Sequence, residues 1–203
     1  MIQIRNIASN EKATIDEIVN IHMQTFTGFF LTFMGHGFLR QMYSSYCSHK
    51  KSGLLVAFNE EERPIGLLAY SGDLSELYKF MITKRLIAFA WYAFCAFLRK
   101  PAIFMRLLRA FLKPGESKRQ EAYVELASIG VSPDCASKGV GTQLISKLKE
   151  LVDFQEYAYI TLETDAVNNE KANSFYRKNG FVLERTYETN EGRKMNEYRY
   201  RKS

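Results

Sequence analysis

Apolar positions along the chain switch repeatedly between a period near two and a period near 3.6, and the switching marks out the elements. Residues 2–7 read as a short opening strand. Ile15, Ile18, Val19 and His22 then fall at helical intervals, with Thr14 in a capping position and Glu17 three residues further on, the spacing of a capping box. Gly28-Phe29-Phe30 and Gly35-His36-Gly37 punctuate the next stretch, and a second helix is expected over residues 38–46. Two apolar runs, 53–58 and 65–70, are joined by Asn59-Glu60-Glu61-Glu62-Arg63-Pro64 as strand, turn and strand. Pro64 stands just before the second of them, where it costs no ladder bond.

The C-terminal half alternates more regularly. A strand is expected over 122–131, and a helix over 139–154 with Val140, Leu144, Leu148 and Leu151 on one face. A strand over 157–164 follows, then a helix over 169–179 ended by Gly180, a residue suited to the left-handed cap. Strands over 181–187 and 195–200 close the chain, turned at Asn190-Glu191-Gly192. Alternating strands and helices with hairpins around them predict a mixed α/β sheet in one domain spanning 1–203.

Composition changes this picture in one place. With 203 residues, 46% of them hydrophobic, the chain has material for a full core. The net charge of +6 sits entirely in residues 73–115, which carry eight Lys or Arg against Asp73 and Glu76, while the rest balances. The whole molecule is therefore not a basic, nucleic-acid-coating protein. Within the segment, residues 74–112 are helical in composition, split by Pro101 and closed by Pro114-Gly115. The apolar run 86–98, flanked by Arg85 and Arg99, spans about 20 Å as a helix, too short for a bilayer core of about 30 Å. A transmembrane helix is not expected. Three readings stay open for this insertion. They are a helical pair packed over the sheet or against a second subunit, a lid whose cations hold an acidic acceptor, and a peripheral membrane contact. Met1-Ile2-Gln3-Ile4-Arg5 lacks the basic flank and apolar run of a signal peptide, so Cys47, Cys95 and Cys135 are read as reduced packing residues of a cytoplasmic protein.

The strongest chemical signal is Ser132-Pro133-Asp134-Cys135-Ala136-Ser137-Lys138-Gly139-Val140-Gly141-Thr142, between an expected strand and an expected helix. Glycines at 139 and 141 let the backbone approach a ligand, and the first-turn amides with the positive end of the helix dipole suit a pyrophosphate. A tight turn has the same signature. A nucleoside-triphosphate loop is excluded because no G-x-x-x-x-G-K-[ST] string occurs. A dinucleotide fingerprint fails because Leu144 stands where its third glycine belongs.

This strand, loop and helix resemble the coenzyme-A-binding motif of the GNAT superfamily of N-acetyltransferases, with loop pattern Q/R-x-x-G-x-G/A. Thirty residues on, Asn169-Glu170-Lys171-Ala172-Asn173-Ser174-Phe175-Tyr176, followed by Gly180-Phe181, resembles the family's second motif, N-x-x-A-x-x-F/Y-Y ending in G-F. One departure is Ala136, where the family usually has Gln or Arg, which shifts weight to Lys138. The resemblance implies a GNAT-like acyl-CoA N-acyltransferase fold with a helical insertion at about 73–115, using acetyl-CoA as co-substrate to acetylate a primary amine. Under it, the amides and side chains of Ser137, Lys138, Gly139, Val140, Gly141 and Thr142 hold the pyrophosphate, and Val131 bonds the pantetheine arm. The backbone amide of Ile129 stabilises the oxyanion. Tyr176 protonates the departing thiolate, or is simply a core aromatic. Asn169 contacts the co-substrate, caps its helix, or does both.

Glu125, eleven residues before position 136, matches the place of a catalytic glutamate in some members. It is a carboxylate within the apolar Tyr123-Val124-Glu125-Leu126, where partial burial would raise its pKa. It acts as the base, orients a water, or pairs structurally. His22, His36 and His49 have no metal-ligand spacing with one another or with the cysteines, so no metal is expected. His36, between two glycines, is a candidate for substrate contact. The basic insertion tilts the acceptor toward a small anionic molecule such as a nucleotide-linked amino sugar. A homo-oligomer is compatible with all of this. The alternative class is a non-catalytic GNAT-derived domain that binds CoA while its insertion docks a protein partner or membrane surface.

Overall fold

The computed structural model of the chain describes residues 2–105, 121–189 and 192–202. Its elements run in the order β1 (Gln3–Asn6), α1 (Lys12–Thr25), α2 (Phe30–Met34), α3 (His36–Ser48), β2 (Ser52–Phe58), β3 (Pro64–Ser71), α4 (Leu74–Arg99), β4 (Tyr123–Val131), α5 (Val140–Leu151), β5 (Tyr159–Asp165), α6 (Glu170–Lys178), β6 (Val182–Glu188) and β7 (Lys194–Tyr200). Seven strands form one sheet ordered β1-β2-β3-β4-β5-β7-β6. Every neighbouring pair is antiparallel except β4 and β5, which run parallel. A parallel pair needs a long crossover, and α5 supplies it.

Side-chain alternation along β2 and β3 builds the layers. Leu54, Val56, Phe58, Leu67 and Ala69 turn to one face and meet Ile15, Ile18 and Val19 of α1 and Leu39, Met42 and Tyr43 of α3. Leu55, Ala57 and Leu68 turn to the other and meet Val140, Leu144, Ile145 and Leu148 of α5. Both strands are covered on both faces, so they read as continuous apolar runs in the sequence. Each fully buried leucine or isoleucine stabilises the fold by about 2 kcal/mol relative to exposure. The mixed α/β sheet expected from the sequence is present.

Local boundaries differ where a side chain does something other than cap. α1 starts at Lys12, so Thr14 lies inside the helix and the expected capping box does not form. Glu11 occupies the cap position instead. Its carboxylate accepts a hydrogen bond from the Ala8 amide at 2.9 Å and pairs with Arg5 at 2.7 Å. α3 is longer than expected, and α2 was not anticipated from its five residues Phe30-Leu31-Thr32-Phe33-Met34.

The insertion between β3 and β4 begins with α4, capped by Asp73, whose carboxylate accepts from the Glu76 amide at 2.8 Å. Its first interruption is at Arg85, with non-helical φ −137° and ψ 18°, rather than at Pro101. Pro101 instead opens a further helical stretch over 101–105, where its missing N–H costs nothing. The expected close at Pro114-Gly115 and most of the turn at Asn190-Glu191-Gly192 lie outside the described residues. Arg85 donates to Gln41 Oε1 at 2.6 Å, and Arg99 donates to the carbonyls of Phe33 and Met34 at 3.1 and 3.2 Å. Tyr92 lies so close to α3 that a Cβ on Gly37 would sit 2.2 Å from its ring. The glycine pair around His36 is thus explained by helix packing, with Gly35 at φ 93° ending α2.

Candidate active site

The site is a gap in the sheet. β4 pairs with β3 from Glu125, opposite Ser71, to Val131, opposite Gly66, but it pairs with β5 only from Tyr123 to Glu125. Beyond Glu125 the two parallel strands part. The cause is on the β3 side, where Ala69 faces Ser128 and Tyr70 faces Leu126, leaving Ala127 as an extra residue in a bulge. The amide of Ser132 donates to the Ile65 carbonyl at 2.9 Å, so by strand alternation the amides of Gly130 and Ser128 also point to β3. Those of Val131 and Ile129 consequently face the gap. The Val131 carbonyl, on the same side, accepts from the Thr25 hydroxyl at 3.3 Å.

At the end of β4 the chain makes a 3-10 turn, Pro133–Cys135, and enters the glycine loop. Ser137 and Gly139 both adopt left-handed backbone, at φ 63° and 80°. No side chain caps α5, so its first-turn amides are open to an anion. A Cβ on Gly139 would meet nothing within 4 Å, whereas one on Gly141 would come 3.0 Å from the Phe175 ring. Only Gly139 therefore serves the loop's conformation; Gly141 serves the contact between α5 and α6. Lys138 is exposed, and its ammonium donates to the Asp134 carbonyl at 2.9 Å, bracing the loop. Thr142 is exposed in the first turn of the helix, and Val140 is buried.

Glu125 is the last residue of β4 paired to β5, opposite Thr161, and is half-buried. Its negative charge helps to push up the Tyr46 and Tyr78 hydroxyl pKa values, secondary to burial in both, which places it toward the α1–α3–α4 side. Thr161, Glu163 and Glu197 share that face by register, Glu163 being opposite Glu197. Glu197 is fully buried, held by Arg185 at 2.7 Å and Arg199 at 2.9 Å, and Tyr187 donates to Glu163 at 2.7 Å. The carboxylates beyond Glu125 are thus engaged, Glu197 by two arginines and Glu163 by a tyrosine.

Tyr176 lies on α6, nine-tenths buried among Phe175, Phe181 and Tyr198. Burial pushes its hydroxyl up to about 12, so it holds its proton at neutral pH. Asn169 stands before the first turn of α6 without capping it; its side-chain amide donates to Thr164 on β5 at 2.8 Å.

The family model for the acetyltransferase (GNAT) family matches residues 15–181. This chain belongs to that family. Among solved structures, a protein described as a GNAT-family acetyltransferase from Desulfovibrio desulfuricans superposes with a TM-score of 0.61 at 14% identity, covering 99% of both chains. An N-acetyltransferase from Staphylococcus aureus gives 0.59 at 14% identity over 99% of this chain and 98% of the other. Arabidopsis thaliana NAA60, solved in complex with acetyl-CoA, gives 0.58 at 14% identity with the same coverage. At these identities the likeness concerns the fold alone. No curated protein matches the chain by sequence.

Within this GNAT domain the fold brings together the amides of Ile129 and Val131, the open end of α5, and Glu125 at the point where the strands part. Tyr176 and Asn169 come from α6, whose Phe175 touches Gly141 at the start of α5. His36 opens α3 and is tied to no site residue by any contact described above. Three contributors were invisible to sequence reasoning. The bulge at Ala127 has no signature in an apolar strand. Asn173, nearly fully buried, donates to the carbonyls of Asp165 and Asn169 and accepts from Asn196 and Tyr198, locking α6 to β5 and β7. His22 and Tyr43, 2.7 Å apart and buried, back the far side of β4, where Tyr43 meets Ser128. Asn173 lies within the recognised motif, but at a position that the motif leaves unspecified.

Proposed function

We propose that this chain transfers the acetyl group of acetyl-CoA to a primary amine, through direct attack of the amine on the thioester. The observation that carries the reading is the parting of β4 and β5 beside the uncapped start of α5. A slot lined by inward-facing strand amides, ending at a helix N-terminus, fits an extended thioester arm with a diphosphate at its end. The residues present fit that group: Gly139 leaves open space, no side chain caps the first turn of α5, and the exposed Lys138 stands beside it.

The reaction needs three services. Glu125, directly or through a water, takes the proton of the acceptor ammonium. The free amine forms a bond to the acetyl carbon, and the Ile129 amide donates to the oxygen as it becomes anionic, a contribution of roughly 3 kcal/mol to the barrier. The oxyanion collapses, the carbon–sulfur bond breaks, the thiolate takes the proton of Tyr176, and the proton shed by the new amide nitrogen returns through water to the tyrosine oxygen. A tyrosine that stays protonated well above neutral pH suits this last step. Val131 holds the arm by its backbone, and Asn169, which is not a cap here, orients the edge of β5 through Thr164.

The tilt toward an anionic acceptor rested on the cations of the insertion. Two of them, Arg85 and Arg99, are engaged by Gln41 and by the carbonyls at the end of α2. Glu125, half-buried where the strands part, favours instead an acceptor presenting its ammonium without a nearby phosphate. The test is thiol release from acetyl-CoA across a panel of cationic and phosphorylated amines, with calorimetry of coenzyme A in parallel. Turnover with cationic amines is expected. Coenzyme A binding with no turnover on any amine would leave the non-catalytic reading, and no binding at all would remove both. Tyr176→Phe is expected to lower kcat roughly a hundredfold, in the range of a lost general acid, with coenzyme A affinity unchanged. Unchanged kcat in that variant would remove the acid assignment.

A further inference from the structure

From Leu86 to Leu98 the second part of α4 is apolar on every side. Its inner side, with Phe89, Ala93 and Ala96, packs against the domain. On its outer side Leu86, Ile87, Trp91, Phe94 and Leu98 are exposed, Ile87 at 87% and Trp91 and Leu98 at 61% and 62%. At 100° per residue these positions share one face of about 140°. A helix apolar all round belongs in a core or in contact with lipid, not in water.

We propose that this face docks in the plane of an anionic lipid bilayer. Three observations choose that occupant. First, residues 77–115 contain no Asp or Glu while carrying eight Lys and Arg, and Lys84 and Lys100 flank the apolar face at its two ends and are exposed. The carboxylates just before the segment, Asp73 and Glu76, are held by Lys50 and Lys51 at 3.3 to 3.8 Å. Second, a two-fold pairing of this face with another copy sets the lysines of the two copies against each other with no carboxylate to answer them, whereas phosphatidylserine headgroups complement them. Third, although α4 is long and apolar enough in total to cross a membrane, the kink at Arg85 leaves an unbroken stretch of 14 residues, 86–99. That stretch is about 21 Å long against a hydrocarbon core of about 30 Å. With its inner side fixed to the domain, it lies along the surface and presents Trp91 and its neighbours to the acyl boundary.

Trp91 is the only tryptophan of the chain, so intrinsic fluorescence reports on this face alone. The experiment mixes the full chain with vesicles of phosphatidylcholine, or of phosphatidylcholine containing phosphatidylserine, and reads Trp91 emission and co-sedimentation. A blue shift and sedimentation with the phosphatidylserine vesicles, weakened by salt, are expected. Ile87→Asp with Phe94→Asp is expected to lose both, with far-ultraviolet circular dichroism and coenzyme A affinity unchanged. Lys84→Gln with Lys100→Gln is expected to weaken partitioning about 30-fold, from about fivefold per cation at an anionic surface. Emission that ignores phosphatidylserine, or equal binding to phosphatidylcholine alone, overturns the proposal. So does a lipid-free blue shift that grows with protein concentration alongside a doubled mass, which assigns the face to a second copy. None of these readouts depends on acetyl transfer.

Discussion

His22 illustrates how one buried polar side chain couples the fold to pH. Its Nδ1 is 2.7 Å from the Tyr43 hydroxyl, and among the described residues its Nε2 has no hydrogen-bond partner. Burial pulls its pKa from 6.5 down to about 4. The unfolded chain therefore takes up a proton near pH 6.5 that the folded chain refuses until about pH 4. Stability is complete above the upper value and falls as the pH drops through that window, by up to about 3 kcal/mol. Urea midpoints measured between pH 7 and 4 should fall accordingly, and His22→Gln should remove most of this slope while lowering the plateau. A slope that survives the substitution would assign it to the carboxylates. Single glycines divide in the same way by environment. Gly139 and Gly141 look alike in the sequence, yet one is needed for a left-handed turn and the other to admit Phe175.

β4 owes its function to a defect. Val124 and Leu126 face the α5 core, as do Ile129 and Val131, while Glu125 faces the α1–α3 side with Ser128 and Gly130. Strict alternation would hold through all of these if Ala127 were absent. Deleting Ala127 is therefore expected to be tolerated by the core, with an unfolding midpoint close to that of the parent. It should straighten β4, extend its pairing to β5 and reduce coenzyme A affinity by an order of magnitude or more in calorimetry. Unchanged affinity in a folded deletion variant would show that the bulge does not open the gap. α4 behaves as two elements for a comparable local reason, since Arg85 leaves helical geometry where its guanidinium meets Gln41 of α3.

Across the molecule, acidic and basic side chains balance in the sheet and its flanking helices, while the insertion carries an excess of cations. The net charge of +6 is that excess. What the amino-acid order determined by itself were the features set by neighbours in the chain. They are the alternating strands, the 3.6 period of α5, the left-handed stop at Gly180, and the two spaced motifs that place the chain among GNAT acetyltransferases. Periodicity and turn chemistry act over a few residues, so they are legible without a fold. Only tertiary structure decided that β4 and β5 separate after Glu125, that Gly141 belongs to Phe175, and that Arg85 and Arg99 bond to α3 and the end of α2. It also decided that one side of α4 has nothing of the described chain over it. Each of these depends on which distant segment arrives opposite a residue, and contact across the sheet leaves no period to read.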